Sequence, residues 1–365
     1  MRLLVLDGNS ILNRAFYGVK LLTTKDGTFT NGIYGFLSIL LRLRDLCEPD
    51  AIVAAFDLRA PTFRHKLYDA YKAGRKGMPD ELAQQVPTLK QLLPALGVTV
   101  LEKEGYEADD ILGTLSRVCE QDDGVQCFIA TGDRDALQLV SAETTVLLAA
   151  TKMGRPVTTA YTPDKVQKDY GVTPPQLIDV KALMGDSSDN IPGVAGVGQK
   201  TATELVARFG SLDGVYDNLE NPDIKNGVRE KLRRDKENAY LSRTLGTICR
   251  EAPVNTDVHA FAQTVPDVRT ATQMLASLEM FSMIERFSLP SVPLPQVQQV
   301  RPPRQPLQQQ PLQVQYRRQL RLQPLSQPLM QQQQQLQKQT RLQSPSLLMR
   351  QSILSLRLMS SLLSL

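Results

Sequence analysis

Short apolar runs alternate with amphipathic stretches over the first two hundred or so residues, and an acidic residue stands where most of the runs stop. Residues 3–6 (LLVL) are uniformly apolar and predict a buried strand closed by the turn-forming Asp7-Gly8-Asn9-Ser10. Residues 51–56 (AIVAAF) predict a second buried strand ending at Asp57, and shorter runs near 98–101 and 127–130 predict two more, the last ending at Thr131-Gly132-Asp133. Between them, 32–46 reads as a helix. So does 107–120, where Ile111, Leu112, Leu115, Val118 and Cys119 fall on one face. Residues 146–159 predict a hairpin turning near Met153-Gly154; 174–184 and 199–209 predict helices joined by a Gly-rich turn, and 228–290 is mostly helical. Alternating strands and helices specify an α/β domain with a mainly parallel sheet.

From residue 291 the pattern stops. Residues 291–365 hold 21 Gln and no Asp, Glu, Gly or Ala, a low-complexity composition that cannot build an ordinary core and predicts disorder. The abrupt change after Pro290 points to a reading-frame artefact; the alternative is a basic tail adding non-specific DNA affinity. It also distorts the charge. The whole chain carries a formal +4, but the nine basic residues of 291–365 leave 33 basic against 38 acidic residues over 1–290. The body is mildly acidic, so a basic average is no argument for nucleic-acid binding.

Four cysteines without a CxxC pair fit a reduced, cytoplasmic protein, nucleoid-associated if it works on DNA. With only His65 and His259 available, metal chemistry would use oxygen ligands, favouring Mg²⁺ or Mn²⁺. No run approaches the ~18 apolar residues of a membrane span, and no small-molecule cofactor motif is present.

Asp7, Asp57, Asp133 and Asp135 follow strands, and parallel strands present their C-terminal ends at one edge, where ligands bind. Glu107, Asp109 and Asp110 open a helix, while Asp186 and Asp189 sit in the loop GDSSDN. Any one of these could be a helix cap, a turn former or a plain loop residue. Nine acids at element ends, however, would repel one another at a common edge unless cations neutralise them. Two Mg²⁺ ions ~4 Å apart are one such arrangement, able to activate water for phosphodiester cleavage. Residues 59–76 carry six Lys/Arg against one acid, Arg64 among them, with Phe63, Tyr68 and Tyr71 interleaved. They suit phosphate and unpaired-base contacts; the alternative is a solvated amphipathic helix with Phe63 and the tyrosines in the core. Gly193–Lys200 before an apolar helix resembles a helix–hairpin–helix that grips duplex backbone, or is ordinary capping.

The stretches LLVLDGNSILNRAFY, FDLRAPTFRHKLYDAYKAGR, YEADDILGTL, ATGDRDALQLV and LMGDSSDNIPGVAGVGQKTA together resemble the 5′-to-3′ exonuclease domain of bacterial DNA polymerase I, within the flap endonuclease family. The resemblance covers residues 1 to about 290. It implies a PIN-like catalytic domain over 1–172, with a helical arch at about 59–90, and a helix–hairpin–helix subdomain over 173–290. It implies that Asp7, Asp57, Glu107, Asp109, Asp110, Asp133, Asp135, Asp186 and Asp189 hold two divalent ions, and that Lys72 and Arg75 contact the scissile phosphate. Tyr71 would be a stacking residue, Arg14 and Arg64 further DNA contacts, and Gly196, Gly198 and Lys200 would lie on the duplex, with K⁺ often bound there in that family. The implied activity is 5′-3′ exonuclease or flap endonuclease cleavage of branched or 5′-flap DNA by a monomer, in primer removal and repair. A non-catalytic DNA-binding module of the same fold is the alternative, which would be favoured by Asn, Ser or Ala at ligand positions; all nine are acidic here. YKAGRKGMP lacks the proline usual after the arginine, and the low-complexity tail stands where polymerase I continues into its other domains, so no polymerase activity is expected.

Overall fold

The computed structural model describes residues 1–152 and 155–290. The expected hairpin turn at Met153-Gly154 and the expected disorder of 291–365 lie outside the described residues. The first strand is β1 (Arg2–Asp7), followed by helices α1 (Gly8–Gly18) and α2 (Asn31–Cys47). Then come β2 (Ala51–Ala55), α3 (Phe63–Leu67), α4 (Asp80–Ala83), α5 (Gln85–Ala95) and β3 (Thr99–Leu101). The domain is completed by α6 (Ala108–Glu120), β4 (Gln126–Thr131), a 3₁₀ turn (Asp135–Leu139), β5 (Thr144–Lys152) and β6 (Arg155–Tyr161).

The six strands form one sheet in the order β3-β2-β1-β4-β5-β6, parallel throughout except for β6. Burial on both faces explains the uninterrupted apolar run of β1. Side chains alternate across a strand, so Leu4 and Leu6 pack with α1, α2 and α5, while Leu3 and Val5 pack with α6 on the other face. The chain leaves β1 for β2 on one side and reaches β4 on the other, so the connection direction reverses beside the C-terminal end of β1. A crevice opens at such a switch point.

α7 (Pro163–Tyr170) leads into α8 (Gln176–Met184), α9 (Gln199–Phe209), α10 (Leu212–Asp217), α11 (Asn226–Arg234) and α12 (Lys236–Gly246). From α8 to α12 these helices share a separate apolar core that includes Leu183, Val206, Leu212 and Leu232. α13 (Val258–Phe261), α14 (Val268–Ser277) and α15 (Phe281–Arg286) return to the sheet domain, with Leu275 and Met283 in its first core. This is the expected α/β sheet followed by a helical subdomain, except that α13, α14 and α15, expected within a subdomain over 173–290, pack their apolar faces on the sheet domain. Among the described residues no helix is long and apolar enough to cross a membrane.

Two departures have physical causes. The Asp-Gly-Asn-Ser sequence after β1 starts α1 rather than a turn: the Asp7 carboxylate caps the helix by accepting from Ser10 N. Gly8 is required there because a Cβ would stand 2.5 Å from the Phe56 ring. The expected helical arch over 59–90 is helical only at α3, α4 and the start of α5, and Gly74, Gly77 and Pro79 interrupt the span between α3 and α4.

Candidate active site

Asp7 ends β1, the strand at the switch point, and Thr131, which ends the neighbouring β4, donates its hydroxyl to Asp7 Oδ2 at 2.7 Å. Asp57, just past β2, receives Ala108 N on Oδ1 at 2.7 Å, which ties the end of β2 to the start of α6. Asp133 Oδ1 accepts from Asp135 N at 2.9 Å, closing the turn after β4. Gly132, between Thr131 and Asp133, lies against Ser10 and Arg14, where a Cβ would stand 2.9 and 3.1 Å from their side-chain atoms. These elements wall a cavity of about 910 Å³ lined by Asp7, Asp57, Glu107, Asp109, Asp133, Asp135 and Asp189, with Arg14, Lys72 and Arg75 on its rim. Asp186 joins from the loop after α8: Asp135, Asp186 and Asp189 each bring one carboxylate oxygen within 4.8 Å of the other two. Eight of the nine expected acids therefore converge.

The ninth does not. Asp110 is fully buried, and four donors occupy its two oxygens: Arg64 Nη1 at 2.9 Å, Arg64 Nη2 at 2.8 Å, Glu107 N at 2.9 Å and Cys249 N at 2.9 Å. A carboxylate offers about four acceptor positions, so none is left for a metal. The same geometry corrects Arg64. It is 2 % exposed, and its guanidinium also donates to the carbonyls of Leu245 and Thr247. It joins α3, α6 and the end of α12 and is not presented to DNA. Tyr71 is 4 % exposed, donates to Glu107 Oε2 at 3.2 Å and packs on Ile191 and Leu245, so its ring is not free for base stacking.

Lys72 and Arg75 reach the cavity and turn towards its acids: Lys72 Nζ donates to Glu107 Oε2 at 2.9 Å, and Arg75 pairs with Asp189. Lys181 was not among the expected site residues. From α8 its ammonium bridges Asp135 and Asp186, the latter at 2.8 Å. A lysine on an unremarkable helix gives no signal in one sequence; only the fold sets it between two acids.

Crowding shifts the acids as the cavity would require. Burial pushes Asp7 up to about 6 against the pull of Thr131 and Ser10, with Asp57 and Asp133 adding repulsion. Asp109 is raised well above the usual range by loss of hydration and then by Asp7, Asp133, Asp57 and Asp135. Asp186 goes the other way: burial opposes ionisation, but Lys181 and Ser188 draw it down to about 2. A raised carboxyl pKa means that the folded state binds the proton more tightly than the unfolded chain. The ionised Asp109 therefore costs stability at neutral pH, and the cost fades as pH falls through its folded value. In EDTA at neutral pH, Asp109→Asn is expected to raise the melting temperature by about 2–4 °C. The difference should vanish near pH ~4, where an ordinary aspartate is already half protonated. Differential scanning fluorimetry at the two pH values checks this, and an unchanged or lowered neutral-pH melting point refutes it.

The hairpin between α8 and α9 runs through Gly193 and Gly196, both at positive φ (61° and 79°). Gly193 has no room for a side chain, since a Cβ would lie 2.3 Å from Gly185 N. Gly198 precedes the first turn of α9 with nothing within 4 Å of a Cβ, and Lys200 is 91 % exposed beside it. The start of α9 thus presents an open face with a cationic neighbour.

Residues 2–171 match the family model described as 5′-3′ exonuclease, N-terminal resolvase-like domain, and residues 172–269 match 5′-3′ exonuclease, C-terminal SAM fold. DNA polymerase I of Caldicellulosiruptor bescii is 41% identical over 292 residues, covering 80% of this chain and 34% of that protein. DNA polymerase I of Bacillus subtilis is 42% identical over 257 residues, covering 70% and 29%. The chain thus spans about a third of the length of the curated relatives it matches. Among solved structures, the bacteriophage T5 flap endonuclease in a pseudo-enzyme–product complex with DNA and metal ions has a TM-score of 0.56 at 18% identity, covering 79% of this chain and 100% of that chain. The T5 5′-exonuclease with bound zinc has a TM-score of 0.55 at 19% identity with the same coverage. At these identities the structural likeness speaks for the fold.

Proposed function

The chain belongs to the 5′-3′ exonuclease family, and from that premise we propose that it hydrolyses DNA phosphodiester bonds at or near the 5′ end of a branched strand, as a two-metal exonuclease and flap endonuclease. The observation that carries the reading is the gathering of eight carboxylates from distant parts of the sequence in and beside one cavity at the sheet's switch point. The donor set fits hard divalent cations, since every candidate ligand is a carboxylate oxygen and the crowded groups are partly held from ionising without added positive charge. Mg²⁺ or Mn²⁺ held there would supply an activated water and neutralise charge building on the phosphate. Asp7, Asp57, Glu107, Asp109, Asp133, Asp135, Asp186 and Asp189 would hold the ions, directly or through retained waters, with Lys181 bridging Asp135 and Asp186 before loading.

The protein's own cations set the geometry. Lys72 and Arg75, now paired with Glu107 and Asp189, sit where they can transfer to the scissile phosphate once those acids turn to a metal. The start of α9 and Lys200 hold the duplex through its backbone, which selects DNA structure and not sequence. Primer removal and repair is the corresponding biological role.

The test is cleavage of a 5′-flap duplex by the purified chain, in Mg²⁺ and in EDTA. Cutting in Mg²⁺ alone supports the reading; equal rates in both, or no cutting in either, refute it. Lys72→Ala is expected to slow the single-turnover step by about 10²-fold, the scale of losing one donor aimed at transition-state charge. Duplex affinity should change by less than about 3-fold, because one phosphate contact among several is a small share of binding. An affinity loss as large as the rate loss would make Lys72 a binding group only.

A further inference from the structure

The carbonyls at the tip of the hairpin already have cationic or amide donors. Lys231 Nζ donates to Gly196 O at 2.9 Å, Arg234 Nη2 to Ala195 O at 3.4 Å, and Val197 N to Val194 O at 3.0 Å. Lys231, Arg234 and Asp235 lie at i, i+3 and i+4 at the end of α11, so one helical face meets the loop. Asp235 Oδ2 accepts from Ala195 N at 2.8 Å and pairs with Arg234 at 2.7 Å, fixing the approach. The stem of Lys231 occupies the space that a side chain at Gly196 would need: a Cβ there would lie 2.9 Å from Nζ and 3.2 Å from Cε. A loosely bound K⁺ taking Gly196 O or Ala195 O would meet the Lys231 ammonium, a cation of similar size, on the first and the Arg234 guanidinium on the second. The loop therefore does not fit the monovalent ion expected from the family resemblance.

We propose that Lys231 is a tethered substitute for that ion, so that this chain grips duplex DNA without needing K⁺. A covalently attached cation needs no mass-action loading and arrives already oriented. The idea rests on the proposed role of the hairpin as the duplex grip.

The experiment is equilibrium binding of a fluorescent 5′-flap duplex in EDTA, at fixed ionic strength, in KCl or in tetramethylammonium chloride. Wild-type affinity is expected to agree within about 2-fold between the salts, and Lys231→Met, which keeps the stem, to bind about 10-fold more weakly in tetramethylammonium chloride than in KCl, as the vacated Gly196 carbonyl accepts K⁺. A wild-type dependence on K⁺ beyond about 2-fold overturns the proposal, and that arm requires no variant to fold. So does Lys231→Met with the same affinity, or the same loss, in both salts. Lys200→Glu, which turns the exposed charge beside the start of α9 against the phosphates, separates the two readings in the same assay. If it binds as wild type does, the hairpin is not the grip. If it binds more weakly while wild type proves K⁺-dependent, only the tethered-cation idea fails.

Discussion

Asp133→Asn is expected to lower flap cleavage in Mg²⁺ by about 10³-fold or more, while the duplex is bound at least as tightly as by wild type. Asp133 stands in the turn after β4, lines the cavity and adds to the repulsion felt by both Asp7 and Asp109. The substitution is nearly isosteric. The amide oxygen can still accept from Asp135 N, the bond that closes the turn after β4, so the backbone should stay in place. What disappears is one negative charge from the proposed metal-binding cluster. Charge stabilisation by such ions is worth several kcal/mol in the transition state, and each 1.4 kcal/mol is about tenfold in rate. Removing an acid beside a phosphate path does not weaken an electrostatic complex with a polyanion. Single-turnover cleavage and binding, measured separately, decide the matter. Residual cutting within about tenfold of wild type would remove Asp133 from the chemistry.

The sheet and most of the acid cluster were legible in the sequence because both follow from short-range rules. Apolar runs of four to six residues can only be buried strands here, and a parallel sheet delivers their ends to one edge. The capping residues were harder. Glu107, Asp109 and Asp110 carry one signature for two roles, since an acid in the first turn of a helix can face a metal or close a capping box. The structure divides them: Asp110 caps and meets Arg64, while Asp109 faces the cavity. Arg64 could not be told from its basic neighbours in 59–76, because what sets it apart is burial under the end of α12, a contact 181 residues away in sequence. Lys181 and Lys231 were invisible for the same reason, each being an ordinary helical lysine until a distant loop is folded against it. α1 was missed because an N-cap and a turn share Asp, Gly, Asn and Ser.

Arg64→Met is expected to destabilise the protein by about 3–5 kcal/mol, the scale of breaking a buried ion pair by removing one partner. The guanidinium meets Asp110 with two parallel hydrogen bonds and donates to the carbonyls of Leu245 and Thr247, so four of its five N–H groups are used. Methionine retains much of the volume but leaves the fully buried Asp110 carboxylate without its countercharge and two carbonyls without donors. Asp110 also holds Glu107 N and Cys249 N, so the damage reaches the start of α6, where Glu107 and Asp109 enter the cavity. The double variant Arg64→Met/Asp110→Asn should be less destabilised than the single change, because it removes the orphaned charge while an amide oxygen can still accept from one of those backbone N–H groups. Chemical denaturation of the single and double variants gives both numbers. A DNA-contacting role makes the opposite forecast: unfolding free energy within about 0.5 kcal/mol of wild type, as for an ordinary surface substitution, with the loss appearing in duplex binding instead.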